Sequence, residues 1–90
     1  QALSMAVKRE MEVLGGALGK AFGHLKIGGR MAVIAFHSLE DRIVKEGFKC
    51  FALNGGAKIL TKKPLRPAED EIASNPRARS ARLRALERIA

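Results

Sequence analysis

"MAVIAFHSLEDRIVKEGF", Met31 to Phe48, is the stretch whose reading decides the fold. Its first six residues, Met31 to Phe36, are all apolar. An unbroken apolar run of strand length suits a strand buried on both faces, as in a parallel sheet. "HSLEDR" then sets a histidine, a serine, two acids and an arginine within six positions. From Leu39 the pattern turns helical, with Leu39, Ile43, Val44, Phe48 and Phe51 able to share one face. Ser38 suits an N-cap, and Asp41, three residues on, matches the second member of a capping box. A strand running into a capped helix thus accounts for Ser38, Glu40 and Asp41. It leaves His37 and Arg42 unexplained. In open α/β sheets ligands bind outside the carboxyl ends of the strands. A polar-ligand site at His37, Ser38, Glu40 and Asp41 is therefore an equal reading. Serine nucleophile chemistry is not expected, because no G-x-S-x-G elbow is present.

Upstream, residues 1–26 read as a helix. Leu3, Val7, Met11, Leu14, Leu18, Ala21 and Leu25 form a stripe at spacings of three and four. Gly15, Gly19 and Gly23 line another face of it, which suggests close approach to a sheet. "KIGGR" stops this helix, with Gly28 and Gly29 as the left-handed cap and turn. Residues 30–36 are then the strand and 38–53 the second helix, ended by Asn54, Gly55 and Gly56. Helix, glycine turn, buried strand and helix make one step of a doubly wound α/β fold. Downstream, "KILT" is a short strand candidate. Pro64 and Pro67 turn the chain into a short acidic helix with Glu69, Asp70 and Glu71 in its first turn. Asn75-Pro76 breaks it. The tail, "RARSARLRALERIA", fits a helix by propensity and a strand by alternation.

The charge narrows the partners. Seventeen basic against nine acidic residues give a net charge of +8 over 90 residues. That excess favours a polyanion, nucleic acid first. Four Phe and no Trp or Tyr argue against a stand-alone single-strand binder that stacks bases on aromatic platforms. The tail arginines, Arg77, Arg79, Arg82, Arg84 and Arg88, suit phosphate contacts or, equally, a solvated basic edge. Lys62 and Lys63 join the same basic region if "KILT" pairs with the tail. One cysteine, Cys50, excludes an internal disulfide and reads as a core residue among apolar neighbours. With no CxxC, and with His24 and His37 far apart, no metal site is expected. No run approaches the roughly 18 apolar residues of a membrane span. The opening "QALSMAVKREMEVL" is periodic and charged and does not read as a signal peptide; a cytoplasmic location is expected. A start at Gln1, inside a helical pattern, reads as a segment of a longer protein.

"QALSMAVKREM", "GGRMAVIAFHSLEDRIVK" and "LTKKPLRPAEDEIASNPRARSARLR" together resemble, in order and spacing, the C-terminal part of the bacterial small-subunit ribosomal RNA cytosine-N4-methyltransferases. The resemblance covers nearly the whole chain. That family usually has Arg and Asn where this chain has Ser4 and Lys8, and Ser where it has Ala35. The resemblance implies a Rossmann-like class I methyltransferase domain that uses S-adenosylmethionine to methylate a cytosine amine. Residues 1–90 would be the C-terminal part of that domain, with "RMAVIAF" as its fifth strand. Residues 58–90 would form its closing antiparallel hairpin with a short intervening helix, which makes the tail a strand. It also implies target-pocket roles for His37, Ser38, Glu40 and Asp41, and RNA contacts by Arg42, Lys62, Lys63, Arg77, Arg79, Arg82 and Arg84. The expected partner is small-subunit ribosomal RNA or the assembling subunit. The cofactor's glycine loop would lie outside this chain, because Gly28-Gly29 ends a helix and precedes a strand. This chain alone is then expected to be inactive. The competing reading is a non-enzymatic basic RNA-binding module.

Overall fold

The computed structural model describes residues 2–90, with the side chains of residue 9 and of residues 12–90. Helix α1 spans Ala2–Gly23, strand β1 Arg30–Ala35, helix α2 Ser38–Leu53 and strand β2 Ala57–Ile59. Helix α3 spans Glu69–Ser74, a 3-10 turn Pro76–Ser80, and strand β3 Arg82–Arg88. The fold is α/β. Its sheet has three strands in the order β1-β3-β2, with β3 antiparallel to both neighbours. The arginine tail is therefore the central strand, from Ala35↔Arg82 to Arg30↔Glu87 on one side and Ala57↔Arg88 to Ile59↔Leu86 on the other. Pairing here overrides the helix propensity of Leu, Ala and Arg. Beyond β2 the ladder continues through the Leu60 N–H to the Ala85 carbonyl and the Ala85 N–H to Thr61 Oγ1. The expected strand at "KILT" thus begins one residue earlier, at Ala57, and thins out by Leu60.

The core lies between the two long helices and one face of the sheet. Leu18, Val44, Phe48, Ala57 and Leu86 are buried there, with Leu14, Phe22, Leu25, Met31, Val33, Ile43 and Phe51 packed around them. Phe22, not Ala21, completes the α1 stripe: its ring stacks on Phe51 at 4.2 Å between centroids. Leu3, Val7 and Met11, the first members of the stripe, lie outside the described side chains, as do Ser4 and Lys8. Arg88 lies on the helix-facing side of β3. Its guanidinium donates to the carbonyls of Phe22 and Leu25 and sits 5.3 Å from the Phe22 ring centroid. A cation thus adds hydrogen bonds to the carbonyls of the last turn of α1 and the residues just after it, where it suits the helix dipole.

Several expectations are corrected. β1 is apolar from Met31 onward yet buried on one side only: Met31, Val33 and Ala35 face the helices, while Ala32 and Ile34 are exposed. Its hydrogen-bonded neighbour is antiparallel β3, and its outer edge has no strand partner among the described residues. Among the described residues the glycine face of α1 approaches nothing; a Cβ at Gly15, Gly19 or Gly23 would meet no atom within 4 Å. The close approach occurs instead at Gly47 of α2, where a Cβ would sit 3.2 Å from Leu18. α1 ends at Gly23, so Gly28 (φ +89°) shapes a separate turn, closed by Gly29 N–H to the Lys26 carbonyl. At the end of α2 the glycine reading holds. Gly55 (φ +78°) is left-handed, and the N–H groups of Gly55 and Gly56 bond to the Ala52 and Phe51 carbonyls, a Schellman motif. Cys50 is exposed on α2, outside the core.

Candidate functional site

β1 ends at Ala35, and two residues, Phe36 and His37, carry the chain into α2. His37 is the N-cap, in extended conformation, and its Nδ1 accepts from the Glu40 N–H at 3.3 Å. Glu40 reaches back: its Oε1 accepts from the Phe36 N–H at 3.1 Å and lies 3.4 Å from His37 Nε2. This is a reciprocal capping arrangement placed one residue before the expected one. Ser38 becomes the first helical residue and Asp41 is not needed for the cap. The cause is the early end of β1, which leaves an imidazole acceptor, not a hydroxyl, opposite the open N–H. A neutral ring accepting at Nδ1 carries its proton on Nε2, toward Glu40. Both side chains remain open to solvent, 57% and 40% exposed.

Asp41 has a different task. Its carboxylate takes two hydrogen bonds from Arg84, at 2.7 and 3.0 Å, and the two side chains are only 14% and 9% exposed. The Arg84 hydrogen bonds hold the Asp41 carboxyl below its ordinary pKa range. The charges of Arg84, Arg82 and Lys45 act in the same direction, and burial opposes them. Such a group is a weak base, so Asp41 braces α2 against β3 and is unsuited to accepting a proton. Arg84, expected to face RNA, is spent on this pair and faces inward from the central strand.

The sheet gathers most of the other nominated residues at one end. β1 and β2 run the same way, both opposite to β3; β1 ends beside the start of β3, at Ala35↔Arg82, while β2 ends at Ile59↔Leu86 and the chain after it runs on along β3 toward that end, to Leu65↔Leu83. His37 follows β1, Lys62 and Lys63 follow β2, and Arg77, Arg79 and Arg82 precede or open β3. The Asn75-Pro76-Arg77 string folds into the 3-10 turn, with Asn75 Oδ1 accepting from the Arg77 N–H and Ala78 buried beneath it. Phe36, Asn75, Arg77 and Ser80 line an open cavity of about 500 Å³ at this end. Arg77 thus joins the His37 neighbourhood through Phe36. Phe36, Asn75 and Ser80 escaped the sequence reading, which sought charge and nucleophiles. Arg79 and Lys63 are exposed. Arg42 is exposed and pairs with Glu46 one turn on, at 3.3 Å. Lys62 instead faces a groove beside α2 with Lys45 and Lys49, which the helical spacing of those two lysines signals.

The β1–α2 junction holds Phe36 and His37, with no glycine to cradle a nucleoside, and the glycine pairs lie inside α1 (Gly15-Gly16) or in helix-to-strand turns (Gly28-Gly29, Gly55-Gly56). The residues present do not form such a cradle. Among the described residues no group of three or more His, Cys, Asp and Glu side chains assembles for a metal. No described helix is long and apolar enough to cross a membrane.

The sequence model of the MraW methylase family matches residues 1–89. The chain belongs to the MraW methylase family. Its relatives include proteins named ribosomal RNA small subunit methyltransferase H. That of Fusobacterium nucleatum is 50% identical over 99% of this chain and 33% of its own length. That of Thermomicrobium roseum is 48% identical over 100% and 32%. That of Thermotoga neapolitana is 53% identical over 99% and 29%. The chain spans about a third of the length of the curated relatives it matches. The β1–α2 junction and the arginine turn thus lie within a chain that the MraW methylase family model matches along nearly its whole length.

Proposed function

We propose that this chain is the C-terminal part of an S-adenosylmethionine-dependent methyltransferase acting on the exocyclic N4 amine of a cytosine in small-subunit ribosomal RNA. The observation that carries the reading is the near half identity, along the whole chain, to proteins named ribosomal RNA small subunit methyltransferases. The +8 charge and the cationic end of the sheet support it. In this reading β1 is an inner strand of a Rossmann-like sheet. Its open edge and its exposed Ala32 and Ile34 support that, since an apolar edge strand left bare invites pairing. The remaining strands and the donor site belong to the rest of the protein, and the donor supplies an electrophilic methyl group.

The residues present hold the acceptor. A cytosine amine is a poor nucleophile because its lone pair is delocalised into the ring, so orientation matters greatly. The base leaves its stack to reach a pocket at the end of β1. Phe36 offers that base an apolar surface, and His37 and Glu40 offer polar atoms toward its amine edge. Arg77, Arg79, Arg82 and Lys63 hold phosphates around it, with Arg42 at the margin, and the partner is the RNA or the assembling subunit in the cytoplasm. A non-enzymatic basic RNA-binding module is the second reading, favoured by the +8 charge.

One experiment separates them. The complete protein is incubated with methyl-labelled S-adenosylmethionine and small ribosomal subunits, and the RNA is digested to nucleosides. Label in N4-methylcytidine is expected. RNA binding without label supports the module, and label at another cytosine atom contradicts the amine assignment.

A further inference from the structure

Beside the target end, α2 carries a second basic feature. Lys45, Phe48, Lys49, Ile59, Thr61 and Lys62 form most of the wall of an open groove of about 430 Å³ between α2 and β2. It shares Lys45, Lys49 and Arg84 with a neighbouring hollow that also holds Asp41, Arg42 and Glu46, so the two form one trough along α2. Every acid in that trough is matched: Asp41 by Arg84 and Glu46 by Arg42. Lys45, Lys49 and Lys62 remain as surplus cations, with no carboxylate in ion-pair distance among the described residues. Lys45 and Lys49 stand one turn apart on the helix, about 6 Å along its axis. Ile59, 37% exposed, gives the floor an apolar patch.

We propose that this trough holds the phosphodiester backbone of a single-stranded RNA segment flanking the target cytosine. Charge complementarity carries the choice of occupant: three ammonium groups over a partly apolar floor match a short run of phosphates with a sugar or base edge between them. The inference rests on the RNA substrate proposed above and adds where the flanking strand lies. Lys45 and Lys49 are thereby assigned to RNA, and Lys62 is assigned to the groove and not to the arginine tail.

The test compares two triple variants of the complete protein, Lys45→Gln/Lys49→Gln/Lys62→Gln and Lys20→Gln/Lys26→Gln/Lys58→Gln, which lose the same charge. Affinity for the small-subunit RNA strand around the methylated cytosine is measured across a salt series, with thermal melting as the folding control. Losing three phosphate contacts should flatten the slope of log affinity against log salt by about 2 for the groove variant, at about 0.7 per contact. The control variant should keep the wild-type slope. Equal slopes for the two variants, or a groove variant that matches wild type, would overturn the assignment. Wild-type protein that neither binds nor methylates this RNA would instead overturn the substrate reading.

Discussion

Replacing Arg84 with methionine is expected to destabilise the protein by about 3 kcal/mol, because it strands the Asp41 carboxylate in a site largely closed to water. The low end of the range for a broken buried pair applies, since Asp41 keeps 14% exposure. Asp41→Asn should cost as much or more: it leaves Arg84 buried with Arg82 and Lys45 near it and no carboxylate between them. Replacing both partners by apolar residues, Asp41→Leu with Arg84→Met, should recover most of the loss, because no uncompensated charge stays behind. Urea unfolding of the single and double variants measures this, and additive losses would show that the two groups do not act as a pair. The same pair fixes a pH dependence. The folded pKa of Asp41 is depressed, so its stabilisation is complete above the ordinary carboxylate range, near pH 4, and is lost as pH falls through the lower folded value. The wild-type urea midpoint should therefore drop more steeply below about pH 4 than that of Asp41→Asn.

Phe48→Ala is expected to cost about 3–5 kcal/mol. Phe48 is 1% exposed and packs in the cluster that joins both long helices to β2 and β3. The space it leaves is bounded by Leu18, Val44, Ala57 and Leu86, which come from four different elements and cannot collapse together. The loss is a large share of the roughly 5–15 kcal/mol that holds a typical domain together. Leu53→Ala, on the same helix but 78% exposed, should shift stability by less than about 0.5 kcal/mol. Comparable losses for the two variants would place the core elsewhere.

Local periodicity made much of this fold legible. The spacing of Val44 and Phe48 defined α2, and Asn54-Gly55-Gly56 fixed its end, because helical stripes and left-handed caps depend on neighbours within a turn. What depended on distant partners was not legible. The apolar run of β1 implied cover on both faces, yet Ile34 on the outer face stays 54% exposed. The capping box slipped by one residue, because where β1 stops is set by its register with β3 and not by the Ser-x-x-Asp spacing. Arg84 looked like its neighbours Arg82 and Arg79. Only the packing of α2 on β3 brought it to Asp41, 43 residues away. The basic site suffered the same way: the tail arginines were visible as a run, while Lys45, Lys49 and Lys62 became one feature only when β2 folded beside α2.

The central proposal is that the end of β1 holds the target base. The most direct measurement is the single-turnover rate of methyl transfer to small ribosomal subunits by the complete protein carrying His37→Asn. Asparagine caps a helix well, so this change keeps the N-terminus of α2 and removes only the imidazole. An unchanged melting temperature with a rate reduced at least tenfold, on the order of the loss when a positioning group is removed, is the predicted result. A folded variant that transfers methyl at the wild-type rate would contradict it.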